Sequence, residues 1–327
     1  MTWQDLVGDK LVSPAEAAAR VRPGDRVQIG IVGSPEPRYI AEELGKRAAD
    51  LHGTRIYTHN PQKDLPWWRG EDHGGFEVRS GYLSALARPA MRDRTIDFDI
   101  WSVFFAGKCL EGDRTPHAMR PDVLLTTVSP PDERGFCSFG DQLWYQRHWA
   151  REARLVLVEV DPRFIRTGGD NFIHVSEIDC FVEQPEVSTP PRLARQVPDE
   201  GLDAAQAIGA LASTLIHDGD TIQIGLGLIS GAVTAFLDEK NDLGMHSEIL
   251  PAGAVTLLRK GILTGSQKTV NPRKTVATAI FAEPEDLPYL DGHPAVELRD
   301  AFYTNDPRVV AAHDNFVGVN NALAVDL

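Results

Sequence analysis

One eight-residue phrase occurs twice in this chain, and it limits the folds open to it more than any other feature. G-D-R-V-Q-I-G-I, from Gly24 to Ile31, returns as G-D-T-I-Q-I-G-L from Gly219 to Leu226. Each copy follows an Ala-rich helical stretch and is itself followed by glycine and a further helix. In the first copy the flanking helices are predicted over Ala15 to Val21 and Ala41 to Asp50, and in the second the following helix is predicted over Ala232 to Leu237. Ser13 and Pro14 open the first of these as cap and first turn, with Glu16 close behind. A short apolar run entered through Gly-Asp and left through Gly is how a buried strand is bounded. The repeat therefore predicts two related α/β halves, each beginning helix, strand, glycine loop, helix.

Between the copies, further strands are predicted at Arg55 to Thr58, Asp97 to Phe105, Asp122 to Ser129 and Leu155 to Val160, with a helix near Trp144 to Ala153. Strands alternating with helices predict a mostly parallel sheet. At 327 residues the chain has room for two domains. Pro185, Pro190, Pro191 and Pro198 interrupt any regular element between them. The expected division is a first domain over 1–184, a linker over 185–200 and a second domain over 201–327.

A net charge of −14 with no basic arm argues against nucleic acid as a partner. The N-terminus carries no signal-peptide core and no apolar run reaches membrane-spanning length, so a cytoplasmic protein without membrane contact is expected. Cys109, Cys137 and Cys180 form no CxxC pair and are read as reduced, buried residues. The histidines show no metal-binding spacing, and no metal site is expected.

The second copy of the phrase opens the stretch that carries chemistry, Asp218 to Gly253. Gly225, Gly227 and Gly231 follow the strand, and small residues there let a ligand approach the backbone at the start of a helix. A further strand-like piece delivers one carboxylate, Glu248, between Ser247 and the apolar pair Ile249-Leu250, where it would be only partly hydrated. Two readings are open on these residues alone. G-x-G-x-x-x-G is one residue longer than the dinucleotide fingerprint, with Glu248 near where a ribose-binding acid would fall. The plainer reading is a βα turn with a surface acid.

Several further stretches carry a resemblance. They are S-P-P-D-E-R-G-F-C-S-F-G (Ser129 to Gly140), E-V-D-P-R-F-I-R-T-G-G-D-N-F-I-H-V-S-E-I-D (Glu159 to Asp179) and D-G-D-T-I-Q-I-G-L-G (Asp218 to Gly227). To these are added D-L-G-M-H-S-E (Asp242 to Glu248), Y-T-N-D-P (Tyr303 to Pro307) and V-N-N-A-L-A-V-D-L (Val319 to Leu327). Together they resemble the acetyl-CoA hydrolase/transferase family, and within it the 4-hydroxybutyrate CoA-transferase-like enzymes. The resemblance implies two related open α/β domains of the CoA-transferase type. It also implies acyl-CoA and a small carboxylate as substrates, with coenzyme A passing through as substrate and no permanently bound cofactor.

The family's catalytic glutamate stands in an H-[ST]-E motif, which falls here on Glu248. Its CoA-binding loop falls on Gly225, Leu226, Gly227, Leu228 and Ile229. The implied reaction is ping-pong, through an acyl-glutamyl anhydride and a glutamyl-CoA thioester, with water in place of the carboxylate giving the hydrolase variant. Gly231 departs from the family, which usually has Asp or Asn there. Family members also continue beyond the V-D-L stretch. That departure leaves open a non-catalytic CoA-binding or assembly subunit, and a homo-oligomer or a second chain supplying the remainder is expected.

Other residues have blander expectations. His246 is read as structural, because a carboxylate nucleophile needs no base. Ser129 to Gly140 is read as a rigid turn, and Thr167 to Asp170 as either a substrate contact or a tight loop. Arg259, Lys260, Lys268, Arg273 and Lys274 are read as a solvated face that could also meet CoA phosphates. Trp67, Trp68, Trp101, Phe104 and Phe105 are read as core, and Val319 to Leu327 as a strand.

Overall fold

The computed structural model describes residues 2–33, 35–68, 75–99, 120–184, 201–322 and 324–326. They form two compact units, one of residues 1–164 and 172–192, the other of residues 165–171 and 193–327.

The first unit is built on seven parallel strands, in the order Cys180–Glu183, Leu155–Val160, Val123–Val128, Arg26–Ile29, Arg55–Thr58, Glu77–Ser80 and Asp97–Phe98. The repeated phrase sits near its middle, where Val27 lies opposite Ile56 on one side and Val123 on the other. Val123–Val128 and Leu155–Val160 are buried at every position. Their mostly apolar, fully buried runs suit a parallel sheet covered on both faces. Ser13 caps helix Pro14–Ala18 in a reciprocal capping box with Glu16. Helices Tyr39–Lys46 and Gln146–Glu152 follow, both within the predicted regions or overlapping them. Ile40, Ala41 and Leu44 join Val27, Ile29, Trp67 and Trp68 in the core.

Trp67 and Trp68 are thus core residues, whereas Trp101, Phe104 and Phe105 lie outside the described residues, as do most of the predicted 97–105 strand, the linker 185–200 and Cys109. Cys137 and Cys180 are buried thiols outside any disulfide.

In the second unit the other copy of the phrase again forms a central strand. Thr221–Ile224 is flanked in parallel by Gly244–Met245 and Phe316–Val319. The chain from Met245 continues through an isolated bridge between His246 and Val276 into a second parallel group. There Thr275–Ala277 pairs Val296–Leu298, which pairs Gly168–Gly169, and Ile249–Pro251 pairs Ala279–Phe281. The mixed α/β, mostly parallel architecture expected from the repeat is present in both units.

Two predicted boundaries are corrected. The helix expected over Ala232 to Leu237 begins earlier, at Leu228–Val233, and gives way to a short 3₁₀ turn over Thr234–Phe236. Gly231 N–H bonds the Gly227 carbonyl, and Ser230 Oγ donates to the Gly225 carbonyl at 2.6 Å, so the first turn closes directly on the glycine loop. The strand expected over Val319 to Leu327 is instead Phe316–Val319, set by its register opposite Thr221 to Ile224. Asn320 and Asn321 leave the sheet and turn their side chains onto the glycine loop.

Thr167 to Asp170 is a structural edge. Gly168 and Gly169 pair with Glu297 and Leu298, and Asn171 Nδ2 donates to Thr167 Oγ1 at 3.0 Å. Within Ser129 to Gly140, Phe136–Ser138 pairs antiparallel with Phe172–His174. Among the described residues no helix is long and apolar enough to cross a membrane, and no group of three or more His, Cys, Asp or Glu is arranged to hold a metal ion.

Candidate active site

Segment 246–248 is pinned from both sides by the backbone. His246 N–H bonds the Ile222 carbonyl, Ser247 N–H bonds the Val276 carbonyl, and the Glu248 carbonyl accepts from Thr278 and Ala279 N–H. Ser247 Oγ lies 3.3 Å from both the N–H and the carbonyl of Ile224, locking this segment to the end of the central strand. Glu248 is therefore held at the start of Ile249–Pro251, on a backbone with little freedom.

Its carboxylate opens on a cavity of about 370 Å³ lined by Ile224, Gly225, Leu226, Thr304, Asn305 and Asn320, among others. Glu248 is half-buried, and desolvation raises its pKa above the usual carboxylate range. The opposing influence is a hydrogen bond from Asn305 Nδ2 to Glu248 Oε2 at 2.7 Å, the bond this carboxylate makes among the described residues. A carboxylate stripped of much of its water but still held by one amide is a stronger nucleophile than a hydrated one.

His246 is not placed to take a proton from substrate. Its Nε2 lies 2.9 Å from the Thr304 carbonyl, which can only accept, so the ring carries its proton there. Burial pushes its pKa down to about 4, leaving the ring neutral.

Of the predicted glycine-loop residues, Gly225 and Leu226 line the Glu248 cavity, and Gly227 and Leu228 are not among its described lining residues. The loop is also tightly engaged with the chain itself. Gly227 has φ +140°, a conformation side chains rarely adopt, and a Cβ there would collide with the Asn321 amide. Asn321 Nδ2 donates to the Leu226 carbonyl at 3.2 Å, while Asn320 and Gln223 exchange amide hydrogen bonds at 3.1 and 2.8 Å.

The model of the acetyl-CoA hydrolase/transferase N-terminal domain matches residues 7–191, more than half of the chain. The chain belongs to the acetyl-CoA hydrolase/transferase family. It is 32% identical to the 4-hydroxybutyrate coenzyme A transferase of Clostridium kluyveri, a match that covers 100% of this chain and 74% of that one. It is 33% identical to the succinyl-CoA:cyclohexane-1-carboxylate CoA transferase of Geobacter metallireducens, covering 97% of this chain and 70% of the relative. The crystal structure of RipA from Yersinia pestis is similar at a TM-score of 0.82 and 28% identity, over 98% of this chain and 75% of that one. The family's two-domain α/β fold agrees with the two units described above.

The basic residues grouped as a candidate phosphate-facing surface have other engagements in this family member. Lys268 is buried, its pKa pushed down to about 7 by burial, with Nζ donating to the Met245 and Lys274 carbonyls at 2.8 and 2.6 Å. The expectation that it lies on a solvated face is corrected: the side chain is buried and its ammonium satisfies two carbonyls. Arg259 pairs with Asp286 at 3.0 Å and stacks over Tyr289, Lys260 pairs with Asp238, and Lys274 pairs with Glu297 at 3.4 Å. Arg273 has φ +63°, in the same tight loop.

The residue that sequence reasoning missed is Asn305. It lay in plain sight in the Y-T-N-D-P stretch, but a lone Asn before Asp-Pro reads as a turn residue. Its turn follows the cap of helix Ala301–Thr304 by Asp300, whose carboxylate accepts from Phe302 N–H at 2.9 Å.

Proposed function

We propose that this chain is an acyl-CoA:carboxylate CoA-transferase in which Glu248 is the nucleophile and the Gly225–Ile229 loop receives coenzyme A. The observation that carries the proposal is the half-buried Glu248 carboxylate, held by Asn305 on the wall of a cavity that Gly225 and Leu226 also line. Family membership supports the same class of reaction.

In the proposed reaction a Glu248 oxygen attacks the thioester carbonyl and expels CoA thiolate, leaving an acyl-glutamyl anhydride. The thiolate attacks the glutamyl carbonyl, releases the first carboxylate and forms a glutamyl-CoA thioester. The acceptor carboxylate then attacks that thioester and again expels CoA thiolate. Attack of the thiolate on the acceptor's acyl carbonyl gives the new acyl-CoA and frees Glu248. Charge develops on an oxyanion at each step, and neighbouring amide donors stabilise it best where water is excluded. Asn305 Nδ2, already within hydrogen-bond distance of Glu248, is one such donor. If water resolves the glutamyl thioester instead, the same residues give a hydrolase.

The test is to supply acyl-CoA with and without added carboxylates and to follow free thiol against new CoA ester. A transferase forms a new ester as carboxylate is added. Thiol release that no carboxylate diverts identifies a hydrolase, and the absence of both in folded protein overturns the proposal.

A further inference from the structure

We propose that His246 is a positioning residue for Glu248, acting through Thr304 and Asn305. The proposal rests on the assignment of Glu248 as nucleophile. Residues 246 and 248 lie two apart in the chain, and both line the same cavity. Both side chains are engaged with the same short stretch of chain. His246 Nε2 donates to the Thr304 carbonyl at 2.9 Å, and the next residue, Asn305, donates through Nδ2 to Glu248 Oε2 at 2.7 Å. A ring of contacts therefore closes from imidazole to carbonyl, to the following amide side chain, to the carboxylate and back along the chain from Glu248 to His246.

The peptide between Thr304 and Asn305 is thereby fixed from the segment that carries the nucleophile. Asn305 N–H bonds the Ala301 carbonyl, which anchors the other end of the turn. A purely space-filling role explains the ring less well. His246 is 1% exposed, packed with its ring 4.8 Å from that of His313 and 6.0 Å from that of Tyr303. Its Nδ1 is buried without a partner among the described residues. An unpaired buried nitrogen makes imidazole a poor core filler. The bond at Nε2 is what the ring contributes that an apolar side chain could not.

The test uses the full chain and four variants: His246→Phe, which fills the volume without a donor, His246→Gln, whose Nε2 can reach the same carbonyl, Asn305→Ala, and His246→Phe with Asn305→Ala. His246→Leu replaces the Phe variant if that one does not fold. His246→Phe is expected to lower kcat about ten- to hundredfold, with KM for acyl-CoA little changed, because the nucleophile is misplaced rather than the substrate lost. His246→Gln should recover most of that loss. The double variant should be no slower than Asn305→Ala alone, since the two residues act on one arm.

Losses that multiply in the double variant, a folded His246→Phe at wild-type kcat, or a Gln variant as slow as Phe would each overturn the proposal. Infrared titration of the Glu248 carboxyl needs no turnover and so separates this proposal from the nucleophile assignment. The donor-less His246 variant and Asn305→Ala should move that titration upward alike, and an unmoved titration in the His246 variant overturns the link. Failure of wild-type protein to acquire label on Glu248 during turnover counts against the nucleophile and not against the link.

Discussion

The two copies of the repeated phrase build the same strand and glycine turn, yet one is filled by the protein itself and the other is open. In the first copy, helix Tyr39–Lys46 starts beside Glu159, whose buried carboxylate accepts from Arg38 and Ile40 N–H at 3.1 and 2.8 Å and from Gln184 Nε2 at 3.1 Å. Glu36 is fully enclosed and accepts from the N–H groups of Gly33, Gln62 and Lys63 at 2.8 to 2.9 Å. The N–H groups that a glycine loop and helix start could offer an anion are taken by carboxylates of the chain. Gln28 is buried as well, its amide on the Ile29 and Tyr57 carbonyls.

In the second copy Gly227 stands at the N-cap of helix Leu228–Val233, and no acid lies in its first turn. Gln223 and Gly225 face a cavity instead of the core. The same backbone framework is thus closed with internal carboxyl groups in one unit and left open beside the half-buried Glu248 carboxylate in the other.

The largest effect that would sharpen this contrast is at the open copy's carboxylate. Glu248→Gln should reduce CoA exchange by a factor on the order of 10⁴ or more while leaving the thermal midpoint near wild type. Comparable exchange, with deamidation excluded by mass, would erase the distinction between the copies.

In the closed copy the corresponding change concerns stability. Burial raises the Glu36 pKa from about 4.5 to about 7. A group whose folded pKa is raised contributes stability below its unfolded pKa and loses it as pH rises through the folded value. From pH 4.5 to 7, wild type should therefore lose about 3 kcal/mol relative to Glu36→Gln, which cannot titrate. A stability difference between the two proteins that is flat over this range would mean the carboxyl is not enclosed as described.

Asn305→Ala removes the donor that opposes the raised pKa of Glu248. The acid limb of the rate profile should move to higher pH, and kcat should fall about ten- to hundredfold. An unmoved limb would show that this amide does not hold the working carboxylate.

The smallest effects compare the glycines themselves. A Cβ on Gly30 would meet the Pro35 carbonyl oxygen at 2.5 Å and Thr126 Oγ1 at 2.7 Å, both buried. Gly30→Ala should cost roughly 2 kcal/mol by overpacking. A Cβ on Gly225 would meet the end of the Asn320 side chain at 2.5 Å, which can swing away. Gly225→Ala should cost less than about 1 kcal/mol in stability while raising KM for acyl-CoA. Equal destabilisation by both changes would contradict the difference in enclosure.

The framework was legible in the sequence because it depends on local pattern. Gly-Asp turns, alternate apolar residues and a closing glycine mark both central strands, and the apolar run Val123–Val128 marks a strand covered on both faces. Glu248 was legible as a carboxylate between a polar and an apolar neighbour. What escaped depends on contacts between distant residues. Asn305 meets Glu248 only because the turn after Ala301–Thr304 folds back beside His246 and Glu248. Lys268 looks like surface charge, and only the fold shows its ammonium satisfying two carbonyls. The start of helix Leu228–Val233 moved because hydrogen bonds from Ser230 and Gly231 to the glycine loop outweigh the low helix propensity of Gly231.

The central claim, that the open copy carries a nucleophilic carboxylate, is tested most directly by trapping. Folded protein is incubated with acyl-CoA, treated with hydroxylamine or borohydride, and its peptides are mapped by mass. The account predicts inactivation only after exposure to acyl-CoA, with the modification on Glu248. A preparation that turns over acyl-CoA yet carries its modification elsewhere, or none on Glu248, would contradict it.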